Sequence, residues 1–119
     1  MVDGDFGGRR LRVLVVGCGS IGKRHARLWT ERPEAEVWVC DSLERNLDAA
    51  LAEAPGAQRF ASYEDALFAG PDAVWVCTPN ALHLPMAKAA LDAGCDVLCE
   101  KPLADTLANA RLLAAAANA

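Results

Sequence analysis

With 119 residues, 53% of them hydrophobic and 24% charged, the chain has enough material for one domain with its own core and little beyond it. Its net charge of −4 shows no basic patch and disfavours a nucleic-acid partner. No apolar run reaches signal-peptide or membrane-spanning length, so no membrane partner is expected and a cytoplasmic location follows.

Residues 1–10 carry two adjacent arginines and read as a flexible lead segment; residues 11–119 read as the domain. An apolar strand over residues 11–16 runs straight into Gly17-Cys18-Gly19-Ser20-Ile21-Gly22, a Gly-x-Gly-x-x-Gly turn that opens a helix over residues 20–30. Such a turn suits a dinucleotide pyrophosphate. Gly17 permits the sharp turn, Gly19 lets backbone approach phosphate oxygens, and Gly22 lets the helix lie close to the strand. The helix start near Ser20 and Ile21 directs free N–H groups and the positive dipole end at the anion. Cys18 lies between the glycines, either as a tolerated variable position or as a thiol whose pKa the helix N-terminus lowers.

A second strand, residues 36–40, ends in Asp41, 19 residues beyond Gly22. An acidic side chain at that distance can accept hydrogen bonds from an adenosine ribose, with Ser42 beside it; the alternative is a solvated loop acid or a cap for the helix expected over residues 43–54. A carboxylate there favours NAD(H), since a 2′-phosphate would meet a like charge. Arg45, Lys23 and Arg24 leave room for NADP(H), or simply form a solvated helix face. His25 sits four residues after Ile21 and three before Leu28, and is assigned to the packed side of its helix.

Further along, the pattern predicts a short strand at Gln58 to Phe60, a helix at Tyr63 to Phe68, a strand at Ala73 to Cys77 and a helix at about Leu82 to Ala93. A strand at Asp96 to Cys99 and an alanine-rich helix from Thr106 onward complete the set. Pro55-Gly56, Gly70-Pro71-Asp72 and Ala93-Gly94 mark the breaks between them. Apolarity is continuous rather than alternating in Leu14 to Val16, Val37 to Cys40 and Val74 to Cys77, as in strands covered on both faces. Strands of that kind with helical crossovers predict a doubly wound, parallel α/β sheet of about five strands. Five cysteines are an odd count with no Cys-x-x-Cys pair, and Cys40, Cys77 and Cys99 suit strand packing. No metal site is expected.

Two more segments fall beyond strand C-terminal ends, where open α/β sheets bind ligands: Cys77-Thr78-Pro79-Asn80-Ala81-Leu82-His83 and Val97-Leu98-Cys99-Glu100-Lys101-Pro102-Leu103-Ala104. With Gly17 to Gly22, His25 and Asp41, they resemble the N-terminal, Rossmann-type domain of the Gfo/Idh/MocA family of NAD(P)-dependent oxidoreductases, over about Arg12 to Arg111. The resemblance implies that Thr78, Pro79, Asn80 and His83 line the cofactor groove. It also implies that Glu100, Lys101 and Pro102 set a catalytic lysine beside nicotinamide and substrate, where an ammonium can hold a reacting hydroxyl or stabilise an alkoxide. On the residues alone, Lys101 and Glu100 could be an exposed ion pair, Asn80 a helix cap, and Pro102 a strand end.

Members of that family continue into a sixth strand and a second domain, neither of which these residues supply. The expectation is therefore cofactor binding without efficient turnover, a small-molecule substrate only if a second domain is provided, and homo-oligomers through an exposed sheet edge or uncovered apolar surface. A stand-alone nucleotide-sensing module is the alternative reading.

Overall fold

The computed structural model describes residues 8–99, with backbone alone for Asn80 and Cys99. The expected helix from Thr106 onward and the segment Glu100, Lys101, Pro102 lie outside the described residues. In chain order the elements are β1 Leu11–Val16, α1 Ser20–Thr30, β2 Ala35–Cys40, α2 Glu44–Glu53, β3 Gln58–Phe60, α3 Tyr63–Phe68, β4 Ala73–Val76, a 3-10 turn Asn80–Leu82, α4 His83–Asp92 and β5 Asp96–Cys99.

The five strands form one parallel sheet in the order β3-β2-β1-β4-β5. β1 is central because it is the most continuously apolar strand: Val13, Leu14, Val15 and Val16 are all buried. Its alternate residues serve two cores. Val15 joins Val37, Val39, Ala26 of α1 and Leu47 and Ala50 of α2 on one face. Leu14 and Val16 join Val74, Val76, Ala66 of α3 and Ala87 and Ala90 of α4 on the other. Each helix meets the sheet through fully buried alanines, which allow a close approach that larger side chains would prevent. The doubly wound architecture expected from continuous apolarity is what the chain adopts.

Boundaries moved by one residue where local chemistry overrides periodicity. Helix α4 starts at His83 because Asn80 to Leu82 form a tighter 3-10 turn, closed by the Leu82 N–H donating to the Pro79 carbonyl at 2.9 Å. Its other end is a Schellman motif: Gly94 sits at φ 86°, its N–H donates to Leu91, and the Cys95 N–H donates to Ala90.

At the N-terminal ends of the strands, Asp72 binds several parts of the chain. Its carboxylate accepts both guanidinium nitrogens of Arg9, each at 2.7 Å, and the Arg12 backbone N–H at 2.7 Å. Its carbonyl accepts the Asp96 N–H at 3.0 Å. One residue thus links β1, β4, β5 and the segment before β1.

Candidate functional site

The sheet order reverses between β1 and β4: β2 and β3 lie to one side of β1, β4 and β5 to the other. At such a reversal the connecting loops part and leave a crevice beyond the strand C-terminal ends. Here the crevice is a cleft of about 310 Å³, walled by Gly17 after β1, by Asp41 and Ser42 after β2, by Thr78 and Pro79 after β4, and floored by Tyr63 and Met86.

The glycine turn is fixed by close contacts. Gly17 sits at φ 90°, and a Cβ there would fall 2.7 Å from both the Cys77 carbonyl carbon and the Thr78 amide nitrogen. A Cβ on Gly22 would fall 1.8 Å from the Gly17 carbonyl oxygen. These two glycines pack the turn against the start of α1 and the loop after β4. Gly19 differs: nothing lies within 4 Å of a Cβ built there, so the room above it is open. Gly19 is also the N-cap of α1, with no side-chain cap and no acidic residue in the first turn. The amides of Ser20, Ile21 and Gly22 head the helix without an intrahelical carbonyl, in the setting that attracts an anion.

Asp41 accepts three hydrogen bonds from backbone and side chain around it. Its Oδ2 accepts the Cys18 N–H at 2.8 Å and the Asn46 side-chain amide at 3.1 Å; its Oδ1 accepts the Leu43 N–H at 2.8 Å. The carboxylate forms an Asx turn ahead of α2, whose N-cap is Leu43, and also holds the glycine turn. Of the alternatives for Asp41, capping is realised next to rather than at the cap position, and the cleft wall position is realised as well.

Cys18 is buried, with its Sγ 3.5 Å from the Cys40 carbonyl oxygen. Of the two readings of Cys18, the thiol acidified by a helix N-terminus is not realised: its pKa is pushed up to about 12, first by burial and then by the Asp41 charge. Burial outweighs the dipole, because the side chain points into the core and away from the helix end.

His83 is 1% exposed, and its Nε2 lies 2.7 Å from the Thr78 carbonyl oxygen. A carbonyl only accepts, so Nε2 carries the proton. His83 therefore holds the loop beneath the cleft and does not wall the cleft itself. Within that loop the Thr78 hydroxyl oxygen is buried without a hydrogen-bond partner, a cost that a bound donor or acceptor would remove. His25 stacks on Trp75, ring centroids 4.0 Å apart, on the α1 face of the sheet and away from the cleft.

Comparison with known proteins agrees with this geometry. Residues 11–119 match the family described as oxidoreductase, NAD-binding Rossmann fold, Gfo/Idh/MocA. This chain belongs to the Gfo/Idh/MocA family. It is 42% identical to inositol 2-dehydrogenase of Corynebacterium glutamicum over 98 residues, covering 80% of this chain and 29% of that protein. It is 41% identical to D-glucoside 3-dehydrogenase of Escherichia coli over 105 residues, covering 85% of this chain and 30% of that protein. The WlbA dehydrogenase of Bordetella pertussis, crystallised with NADH and UDP-GlcNAcA, superposes with a TM-score of 0.83 at 34% identity, over 92% of this chain and 34% of that one. The chain thus spans about a third of the length of these relatives and corresponds to the NAD-binding domain of the Gfo/Idh/MocA proteins.

Asn46 was missed at the sequence level, although it both lines the cleft and bonds Asp41. No motif marks it, since its role depends on α2 bringing it back beside a residue five positions earlier.

Proposed function

We propose that the chain is the cofactor half of a dehydrogenase for a sugar, polyol or related small hydroxy compound, and that it takes NAD(H) in preference to NADP(H). The observation that carries this reading is the cleft at the sheet reversal, with an uncapped helix start and open room over Gly19 on one wall and the Asp41 carboxylate on another. The residues fit the cofactor: the amides after Gly19 for the pyrophosphate, Asp41 and Ser42 for the adenosine ribose, and the unpartnered Thr78 hydroxyl as a donor over the cleft floor. Pro79 and Asn80 shape the loop beside it, while Cys18 and His83 act behind the surface by holding the turn and the loop. The bound nicotinamide is the hydride carrier. The family resemblance implies that Lys101, with Glu100 and Pro102, holds the reacting hydroxyl for that transfer.

The names of the similar dehydrogenases support the substrate class, and the share of their length spanned here supports the need for a second domain before substrate is held. No helix among the described residues is long and apolar enough to cross a membrane. We place the chain in the cytoplasm, where the free thiols of Cys18, Cys40 and Cys95 persist. Parallel titrations of the 119-residue chain with NADH and NADPH test the reading. The expected result is binding of NADH with at least a ~10-fold preference over NADPH, about 1.4 kcal/mol. Absence of NADH binding, or an equal affinity for NADPH, overturns it.

A further inference from the structure

Asp41 has fewer free lone pairs than a ribose needs. An ionised carboxylate offers about four acceptor positions, two on each oxygen. Oδ2 already takes the Cys18 N–H and the Asn46 amide, and Oδ1 takes the Leu43 N–H. A vicinal diol donates two hydrogen bonds, and Asp41 retains one position, on Oδ1. The second acceptor must come from a neighbour, and of the two polar side chains that line the cleft next to Asp41, Ser42 and Asn46, it is Asn46 that bonds the carboxylate.

Asn46 is that neighbour. Its amide nitrogen faces Asp41, and this orientation is fixed by chemistry, because the reverse would set a carbonyl oxygen against a carboxylate. Its Oδ1 accepts no hydrogen bond from any described residue, and the side chain lines the cleft beside Asp41. The side chain is half-buried on the first turn of α2, anchored by the Asn46 backbone N–H donating to Leu43 at 3.0 Å.

We propose that Asn46 is a second reader of the adenosine ribose: it orients the Asp41 carboxylate through its amide nitrogen and presents its carbonyl oxygen to the hydroxyl for which Asp41 has no lone pair left. The inference rests on the NAD(H) reading above. It makes discrimination against a 2′-phosphate a property of two side chains, since an esterified 2′-oxygen has no proton to donate and brings negative charge against two acceptors. The two contacts act together, as the same residue that fixes one acceptor supplies the other.

Asn46→Leu keeps the approximate shape of the side chain and removes both functions, and the Oδ2 lone pair that it vacates on Asp41 is left against the apolar side chain rather than turned to the ribose. In the 119-residue chain its NADH affinity is expected to fall ~10-fold, the size of one hydrogen bond from a ribose hydroxyl, with NADPH affinity within about twofold of the unmutated chain. The ratio of the two affinities therefore narrows. A purely structural role for Asn46 in seating α2 would weaken both cofactors by the same factor, and that result overturns the proposal. So does an unchanged NADH affinity. Asn46→Ser, which restores a short donor and acceptor, is expected to recover part of the NADH loss; no recovery in a variant with native circular dichroism counts against the proposal. If the unmutated chain binds no NADH, the NAD(H) reading fails together with this inference, whereas NADH binding with an indifferent Asn46→Leu removes the inference alone.

Discussion

Gly19 and Gly22 look equivalent in the motif and have opposite physical roles. A methyl group on Gly22 has no room, because the atom in its way is the Gly17 carbonyl oxygen rather than a flexible side chain. A methyl group on Gly19 meets nothing in this structure, and the residue's φ of −71° suits any amino acid. Gly22→Ala is therefore expected to lower unfolding free energy in urea by ~3 kcal/mol or more, the range of overpacked and strained sites. Gly19→Ala is expected to cost no more than ~1 kcal/mol, the scale of a changed N-cap, while reducing NADH affinity at least ~10-fold by filling the phosphate's space. A stable Gly22→Ala chain, or a Gly19→Ala chain with unchanged affinity, would contradict these assignments. The spacing of the three glycines was readable from the sequence because local chain geometry dictates it. The pressure of Gly17 on the Cys77 to Thr78 peptide was not, since it joins residues 60 positions apart. The acidified reading of Cys18 fails for the same kind of reason, whereas Cys40 is buried in its strand as expected. Cys18 was placed at a helix end by sequence, but the direction of its side chain is set by packing against Cys40. At pH 8 a thiol reagent should leave Cys18, pushed up to about 12, and Cys40, pushed up to about 11, unmodified in the native chain, and should label both in urea.

At the scale of elements, strand and helix positions over the described residues followed from apolar periodicity and turn residues, and there only the ends shifted. Periodicity reports which face is buried; it does not report that Leu82 closes a 3-10 turn on Pro79. Nor does it reveal what ties strands together at their starts. Asp72 does so, and the Arg9 guanidinium beside it holds its carboxyl below the ordinary 3.8, with the Arg12 N–H adding to the effect. The folded-state pKa is depressed, so the stabilisation is present in full above the unfolded value. It is lost as pH falls below about 4 and through the lowered folded value. Comparison of the native chain with Asp72→Ala by thermal unfolding from pH 7 to pH 2 is expected to show a native advantage at neutral pH that closes in this acid window. A gap of constant size down to pH 2 would mean that the carboxylate's charge contributes nothing and that its loss acts through packing alone. The window belongs to Asp72, since Arg9 stays charged throughout it.

At the scale of the whole molecule, the described residues cover the sheet unevenly. Helices α1 and α2 shield one face over β1, β2 and β3, and α3 and α4 shield the other. On the α1 face, β5 has no helix among the described residues. Leu98 is 49% exposed there, in register beside the half-buried Trp75, and a hollow of about 350 Å³ bounded by Trp75, His25 and Trp29 adjoins it. Along its outer edge, β5 also offers backbone groups with no partner strand among the described residues. Parallel sheets are stable when both faces are buried, so this region favours association in water. Burying a side chain of leucine size contributes ~2 kcal/mol, and a symmetric contact counts it twice. The chain alone is therefore expected to sediment as a concentration-dependent mixture of monomer and larger species, and Leu98→Lys is expected to shift that mixture towards monomer without changing NADH affinity, because Leu98 lies on the sheet face opposite the floor of the cofactor cleft. Monomer at every concentration in the native chain would show that the exposed face is tolerated in water, and association undiminished in Leu98→Lys would move the contact elsewhere on the surface.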